Sequence, residues 1–286
     1  METLRKTIFR SVLLLIAFVP LALAQGTYTQ IDVPGASGTW VSGIDTAGDV
    51  VGYYIDSSQV HHGFLLSSGI YTTIDDPSGD ETYLYGINDN GKIVGFSDAL
   101  NGLLYDLQTQ TFTAINYPNG LYTVAMAINN VGTIVGIFGT ADGNYDGFEL
   151  NGATYKRVGV PNSTTTALTG LNNLAVAVGT FSRPSVEYYF LFHQGKFRQI
   201  SVPASHAAPF GINDAGAMVG SFLQKNGFLG GFVYQNKRFH ALSFPGSTST
   251  DAYGINKAGE VAGVFYDTNN TAHGFTWTHP ADAAKK

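Results

Sequence analysis

The sequence predicts an all-β fold made of six copies of a four-stranded antiparallel unit, and three markers that repeat in register support this prediction. The first marker is a Gly-Ile-Asx step, which recurs at spacings of 43, 41, 43, 41 and 43 residues. The second is a proline three positions after an apolar residue, at positions 34, 77, 118, 161, 203 and 245. The third is a Gly-Phe step, as in HGF, DGF and GGF. Because all three keep the same phase, chance does not explain them.

Each unit contains four short strands joined by turns. In the first unit, strand a is TWVSGI, strand b is DVVGYY, strand c is HGFLLSS and strand d is YTTID. The Asx-x-x-Gly step between strands a and b is typical of a type I turn that ends in a left-handed glycine. Strands such as KIVGF are apolar on successive residues, which is expected where both faces of a sheet are covered.

Four-stranded units of about 42 residues predict a β-propeller with one sheet per blade. The segment YTQIDVP is a d-type strand before the first unit, and HGFTWT is a c-type strand with no d strand after it. We therefore expect residues 26–33 to complete the blade formed by 249–278, which closes six blades into a ring without exposed sheet edges. The anchor glycines should lie where inner strands approach closely; they are Gly43, Gly86, Gly170, Gly211 and Gly254, with Ala127 as the exception.

The N-terminus predicts export. METLRKTIFR is basic, SVLLLIAFVPLALA is apolar, and Ala22-Leu23-Ala24 fits a signal-peptidase site. The apolar stretch is short for the alternative, a membrane anchor. The expected organisation is a cleaved signal over 1–24, a propeller over 25–279 and a tail over 280–286, with a secreted or periplasmic mature chain and no later membrane insertion.

Charge and cysteine content exclude several kinds of partner. The mature chain has 12 basic and 20 acidic residues, a net charge near −8. This balance disfavours nucleic acids and anionic membranes, which require a basic face. There is no cysteine, so disulfides and thiolate metal sites are excluded. The sequence predicts a monomer that uses no cofactor. We expect this monomer to bind a carbohydrate or a protein.

The repeat resembles one known family. The unit VSGIDTAGDVVGYYID, followed by HHGFLLSSGIYTTIDDPSG, carries Gly-Ile-Asx-x-x-Gly, Val-Gly and His-Gly-Phe steps. These steps are similar to those of the bacterial extracellular repeats called the HAF family, and the likeness covers essentially the whole mature chain. Only His62 and His273 retain the histidine of the third step. The resemblance implies an exported propeller-like protein and transfers no catalytic residue.

A site is expected on the face that carries the d–a and b–c loops, where the six units differ most. Near the mouth of the central channel, the sequence places two carboxylates, one imidazole and three aromatic rings: Glu81, Asp251, His206, Trp40, Tyr83 and Tyr122. Aromatic rings stack on the apolar faces of sugars, so Trp40, Tyr83 and Tyr122 are the candidate ligand-binding residues. The candidate catalytic residues are Glu81 and Asp251 as an acid/base pair, with His206 beside Asp251. The alternative is a set of unrelated residues on a polar rim.

Two further patterns have simpler explanations. Threonines four residues before five of the anchors could line the channel mouth, but threonine at a strand start commonly bonds to local backbone. His62 and His273 are too far apart in neighbouring blades to share one metal ion. We expect each to form local hydrogen bonds. The candidate partner of His62 is His61 or Asp56, and that of His273 is Asp267. No metal site is predicted.

Three functions remain compatible with the sequence. The first, which we prefer, is a binding module for a carbohydrate or a cell-surface partner. The sequence contains no nucleophile or phosphate-binding motif, but this is weak evidence against an enzyme because a propeller assembles its active site from several blades. The second is an extracellular hydrolase or lyase acting on a polysaccharide through Glu81, Asp251 and His206. The third is a structural envelope protein.

Overall fold

Six four-stranded antiparallel sheets are arranged around a central axis, which confirms the predicted six-bladed β-propeller. The computed structural model describes residues 26–79, 81–99, 101–184 and 186–279. The predicted signal over 1–24 and the tail over 280–286 lie outside these residues. Within the described ranges, no helix is long and apolar enough to cross a membrane.

Blades 1 to 3 each use four consecutive strands, with the first strand innermost. Blade 1 contains β2 (Gly38–Ile44), β3 (Val50–Ile55), β4 (His61–Ser67) and β5 (Ile70–Thr73). Blade 2 contains β6 (Thr82–Ile87), β7 (Lys92–Ser97), β8 (Asn101–Asp106) and β9 (Thr111–Ile115). Blade 3 contains β10 (Thr123–Ile128), β11 (Ile134–Gly139), β12 (Tyr145–Asn151) and β13 (Thr154–Val158).

Blades 4 and 5 repeat the pattern, and blade 6 joins the two ends of the chain. Blade 4 contains β14 (Thr165–Leu171), β15 (Ala177–Arg183), β16 (Val186–His193) and β17 (Lys196–Ile200). Blade 5 contains β18 (Ala208–Ile212), β19 (Met218–Leu223), β20 (Leu229–Gln235) and β21 (Arg238–Leu242). Blade 6 contains β22 (Ser249–Ile255), β23 (Val261–Tyr266), β24 (Ala272–Thr278) and, as its outer strand, β1 (Thr27–Ile31).

The ring closes as the sequence predicts. Strand β1 pairs antiparallel with β24, from Thr27 opposite Thr278 to Ile31 opposite Gly274. The inner strands β22 and β2 contact each other, so blades 6 and 1 meet as the other neighbouring blades do. Closure of this kind leaves no sheet edge open between the first and last blades.

The turn between strands a and b has the predicted conformation. Five of these turns place a glycine at φ between +70° and +90°, namely Gly48, Gly91, Gly132, Gly216 and Gly259. In blade 4, where the repeat motif has lost this glycine, the same position is Ala175, which is held at φ +55°. The turn geometry is therefore retained in blade 4 even where the residue disfavours it.

Each inner strand contains a β-bulge, and the bulge explains the Val-Gly step of the repeat. In blade 2 the pairing register between β6 and β7 shifts between Leu84 and Gly86, which leaves Tyr85 unpaired. Opposite the bulge, a Cβ added to Gly95 would overlap the carbonyl oxygen of Tyr83. The equivalent glycine faces a carbonyl oxygen in the same way in all six blades: Gly52, Gly95, Gly136, Gly179, Gly220 and Gly263.

The anchor glycines allow neighbouring inner strands to approach closely, as predicted. A Cβ on Gly170 would lie 2.5 Å from the carbonyl oxygen of Phe210 in the next blade. A Cβ on Gly43 would lie 2.9 Å from the carbonyl oxygen of Tyr85. These glycines have a packing role.

The hydrophobic core lies between the blades. The aromatic residue of the Gly-Phe step is fully buried in five blades: Phe64, Phe148, Phe190, Phe232 and Phe275, with Leu103 in its place in blade 2. The clusters join residues of adjacent blades, as where Leu65 of blade 1 packs with Leu84 and Leu103 of blade 2. Because each sheet is covered on both faces, the strands are apolar on successive residues.

Candidate functional site

The axial channel is lined by the residue that the bulge leaves unpaired in each inner strand. These six residues immediately precede the anchor positions and differ from blade to blade: Ser42, Tyr85, Met126, Thr169, Phe210 and Tyr253. The framework of the repeat is thus constant, while the channel surface is varied at one position per blade.

A ring of six aliphatic side chains divides the channel. These residues follow the anchor positions and line the spaces on both sides: Ile44, Ile87, Ile128, Leu171, Ile212 and Ile255. On the side of the bulge residues lies a cavity of about 310 Å³, and on the side of the a–b turns lies a polar space of about 70 Å³. We call the first space the axial cavity. None of the described residues that line it has a charged side chain.

Tyrosine side chains give the axial cavity its polar groups. Burial raises the pKa of Tyr85 to about 12. Burial also raises the pKa of Tyr53 and of Tyr253, and nearby ionisable groups, including Tyr85 in both cases, raise both pKa values further. These phenols are therefore neutral hydrogen-bonding groups at physiological pH.

An aromatic cluster spans blades 1 and 2 beside the axial cavity. Trp40 stacks on Tyr53, with ring centroids 5.1 Å apart and an interplanar angle of 6°. The Tyr83 ring meets Tyr53 edge-on at 5.0 Å and lies 4.9 Å from the His61 ring. With Glu81, these four residues form what we call the rim cluster. Trp40 and Tyr53 also line the axial cavity, so the two features adjoin.

The carboxylate of Glu81 is held at the edge of the rim cluster. His61 Nδ1 lies 3.0 Å from Oε1 of Glu81, and the hydroxyl of Tyr83 donates a hydrogen bond to Oε2 at 3.0 Å. The Glu81 side chain is 38% exposed. Burial raises the pKa of Tyr83, and the hydrogen bond to Glu81 raises it further. The arrangement presents a fixed, accessible acceptor next to aromatic rings.

The structure does not bring the three candidate catalytic residues together. Asp251 lies in β22 and is only 5% exposed. Burial raises the pKa of its carboxyl group, and a hydrogen bond with Ser221 of blade 5 lowers it in part. His206 is exposed, and its Nδ1 lies 3.1 Å from Oγ of Ser205. Among the described residues, neither Asp251 nor His206 contacts Glu81, which is bonded to its neighbours in blades 1 and 2.

Of the candidate ligand-binding residues, Trp40 and Tyr83 belong to the rim cluster, whereas Tyr122 does not. Tyr122 lies before blade 3, is 38% exposed, and lies over Gly139 of its own blade. Its peptide oxygen accepts a hydrogen bond from the N–H of Gly139.

The threonines before the anchors are buried capping groups and do not line the channel. The hydroxyl oxygen of Thr39 accepts a hydrogen bond from the N–H of Val33 at 3.1 Å. The same bond, from the residue six positions earlier, is formed by Thr82, Thr123, Thr166 and Thr250. The explanation from local backbone bonding is confirmed.

The two histidines of the His-Gly-Phe steps form local contacts with carboxylate groups. His62 contacts Asp56 at 3.6 Å, as expected, and more closely contacts Asp75 at 2.7 Å. His273 contacts Asp267 at 3.9 Å and Asp32 at 2.9 Å. In each case the nearer partner is the aspartate that follows strand d. This contact was not predicted from the sequence. The described residues contain no group of three His, Asp or Glu side chains arranged to hold a metal ion.

Sequence reasoning missed Tyr53, His61 and the bulge residues. Tyr53 is the cross-strand partner of Trp40, so a register drawn from the a–b turn would have paired them. His61 belongs to strand c and reaches Tyr83 only across the boundary between two blades. The signal for the bulge residues was their variability beside an anchor that hardly varies.

Comparison with known proteins identifies the fold. No protein-family model and no curated protein matches this chain. A solved structure with a proposed gluconolactonase assignment is 12% identical, with 90% of this chain and 93% of that chain covered and a TM-score of 0.57. A mutant of AofleA from Arthrobotrys oligospora is 11% identical, with 88% of each chain covered and a TM-score of 0.54. An oligogalacturonate lyase in complex with manganese is 11% identical, with 91% and 98% covered and a TM-score of 0.51. At these identities the likeness concerns the β-propeller fold alone.

Proposed function

We propose that this protein is an exported binding module that binds a neutral carbohydrate at the rim cluster. The observation that carries the proposal is the Glu81 carboxylate, 38% exposed and fixed by His61 and Tyr83 beside aromatic rings already in contact with one another. The resemblance to HAF repeats, export through residues 1–24 and a monomeric state belong to the same proposal.

A sugar suits this chemistry because it is amphipathic. Its C–H faces pack on aromatic rings, and its hydroxyl groups donate hydrogen bonds to a carboxylate. The rings of Trp40, Tyr53 and Tyr83 support one another, so little side-chain freedom is lost when a ligand binds. The acidic charge of the mature chain disfavours polyanionic glycans, so a neutral sugar is preferred.

The alternative, a polysaccharide hydrolase or lyase, has weaker support. Glycoside hydrolysis normally uses two carboxyl groups that flank the scissile bond. Glu81 is bonded to His61 and Tyr83, whereas Asp251 is nearly fully buried and bonded to Ser221. Similarity in fold to a lyase does not transfer its activity, because one fold supports many functions.

The test is a glycan array probed with the purified mature chain, with release of reducing ends followed on every hit. We expect binding without release. Tyr83→Ala should weaken binding about tenfold or more, a loss of about 1.4 kcal/mol. Tyr122→Ala is the matched control, because it removes a tyrosine outside the rim cluster. Its affinity for the glycan should stay within about twofold of the wild-type affinity.

Other outcomes would redirect the proposal. Release of reducing ends that disappears in Glu81→Gln would establish the enzymatic alternative. Equal losses in Tyr83→Ala and Tyr122→Ala would move the site away from the rim cluster. No binding to any glycan would overturn the carbohydrate proposal and favour a protein partner.

A further inference from the structure

The axial cavity adjoins the rim cluster, with which it shares Trp40 and Tyr53, but most of its wall lies outside that cluster. Its wall includes Met126, Phe210 and Tyr253, which belong to blades 3, 5 and 6, whereas the rim cluster belongs to blades 1 and 2. Its base is the aliphatic ring, beyond which the channel becomes polar and much narrower. At about 310 Å³, its size is at the lower end of the range for small-molecule sites.

Three tyrosine hydroxyl groups of the cavity wall are available to a ligand. Those of Tyr53, Tyr85 and Tyr253 have no hydrogen-bond partner in the part of the chain that the structure describes. No buried side-chain polar atom among the described residues lacks a partner, so these three hydroxyl oxygens are not fully buried. Their side chains line the axial cavity, which is where a small molecule would meet them. Thr169, in contrast, already donates to backbone oxygens of Val178 and Pro209.

The absence of charge in the lining restricts the ligand. A charged group that entered this cavity would lose its hydration without gaining an ion pair, and such transfers are costly. The side chains that line the cavity are mainly aromatic and aliphatic, so an apolar ligand body would gain free energy by leaving water. Tyrosine phenols are neutral at physiological pH, and the raised pKa values of Tyr53, Tyr85 and Tyr253 keep these three neutral in more alkaline solution as well.

From this geometry we infer that the axial cavity binds a small neutral molecule with a ring-shaped apolar body and one or two hydroxyl or carbonyl groups. The ring lies among Phe210, Met126 and the aliphatic residues of the base, and its polar group bonds to the hydroxyl of Tyr85 or Tyr253. The inference goes beyond the proposed function and does not depend on carbohydrate binding at the rim cluster.

The experiment uses two fluorinated probes of similar size and different charge, 4-fluorophenol and 4-fluorobenzoate, followed by fluorine NMR with the purified mature chain. We expect saturable binding of 4-fluorophenol and at least about tenfold weaker binding of 4-fluorobenzoate. Ser42→Phe adds a ring to the cavity wall and should abolish binding of the phenol. Val131→Phe, which adds a ring at a position 77% exposed on an a–b turn, is the matched control and should bind as the wild type does.

A second variant keeps the test decisive if Ser42→Phe fails to fold. This variant combines Tyr85→Phe with Tyr253→Phe, which removes both hydroxyl groups named in the inference. It should weaken binding of 4-fluorophenol about threefold or more, while binding of fluorobenzene is unchanged. Tyr122→Ala removes a tyrosine that belongs to neither the lining of the axial cavity nor the rim cluster, and it should leave 4-fluorophenol binding intact. Any of three results would overturn the inference. They are equal binding of 4-fluorophenol and 4-fluorobenzoate, binding of the phenol that survives Ser42→Phe, and no binding of the phenol at up to about 10 mM.

Discussion

At the scale of the residue, the asparagine of the Gly-Ile-Asn step has two tasks that explain why it recurs. In blade 5, Oδ1 of Asn213 accepts hydrogen bonds from the N–H groups of Ala215 and Ala217 and thereby holds its own turn. Its Nδ2 donates to the carbonyl oxygen of Asn256 in the next blade at 3.1 Å. An aspartate can perform the first task but has no amide proton for the second.

Asp251 is a buried carboxyl group whose protonation state affects stability. Burial raises the pKa of its carboxyl group in the folded state. A raised pKa means that the carboxyl group favours folding below its unfolded pKa of about 3.9, and that this contribution is lost as the pH rises through the folded pKa. Asp251→Asn removes this loss. We expect the variant to melt at a higher temperature than the wild type at pH 7, with a difference that shrinks as the pH falls towards 4.

The control for this prediction is Asp142→Asn, which should have the opposite sign. Hydrogen bonds from Thr140 and Asn144 lower the pKa of Asp142 to about 2. Its carboxylate favours folding above its unfolded pKa, and the contribution is lost as the pH falls towards 2. Thermal melts of both variants from pH 3 to pH 8 provide the measurement. A constant difference between Asp251→Asn and the wild type across that range would contradict the prediction.

At the scale of the element, the a–b hairpin is defined by its bulge. The bulge turns Tyr85 and its equivalents towards the channel. It also places the carbonyl group two residues earlier, that of Tyr83 in blade 2, against the glycine of strand b. Bulges commonly redirect a side chain in this way. The same local irregularity therefore sets both the glycine of the Val-Gly step and the lining of the axial cavity.

We expect Gly95→Ala to destabilise the protein by about 3 kcal/mol or more, because its Cβ would overlap the carbonyl oxygen of Tyr83 and the backbone cannot move away without breaking the hairpin. Gly86→Ala in the same blade is the matched control. Its Cβ would lie 3.2 Å from the Cα of Ala127, so a smaller loss of about 1 kcal/mol is expected. Urea unfolding followed by circular dichroism measures both. Equal losses would show that the bulge does not require the glycine.

At the scale of the whole molecule, the asparagines of the a–b turns form a nearly complete ring of hydrogen bonds between blades. Each Nδ2 donates to the carbonyl oxygen of the equivalent residue in the next blade, and the chain of donors runs Asn88, Asn129, Asn172, Asn213 and Asn256, ending at Asp45. The step from Asp45 to Asn88 has no amide donor. The ring is thus interrupted between blades 1 and 2, the same two blades that carry the rim cluster.

Asp45→Asn should complete the ring and stabilise the protein by about 1 kcal/mol, the usual net value of one hydrogen bond. Asn213→Asp, the reverse change, should cost about 1 kcal/mol because the carbonyl group of Asn256 loses the hydrogen bond from Asn213 and keeps the one from the N–H of Gly259. The free energy of unfolding in urea decides both. A destabilised Asp45→Asn variant would contradict the prediction that a hydrogen bond at this position adds to the stability of the ring.

The sequence by itself determined the fold, the number of blades and the closure of the ring. Markers at a constant phase require one unit per blade, and they leave an extra d strand before the first unit and a missing d strand in the last. It also led to Trp40, Tyr83 and Glu81 as candidates, because they stand where the repeats diverge. Only the tertiary structure separated Glu81 from Asp251 and His206 and joined it to His61 and Tyr53. The reason is physical. The rim cluster combines strands a, b and c of one blade with the start of the next blade. The axial cavity forms only when six inner strands surround one axis and the side chain of each bulge residue faces that axis.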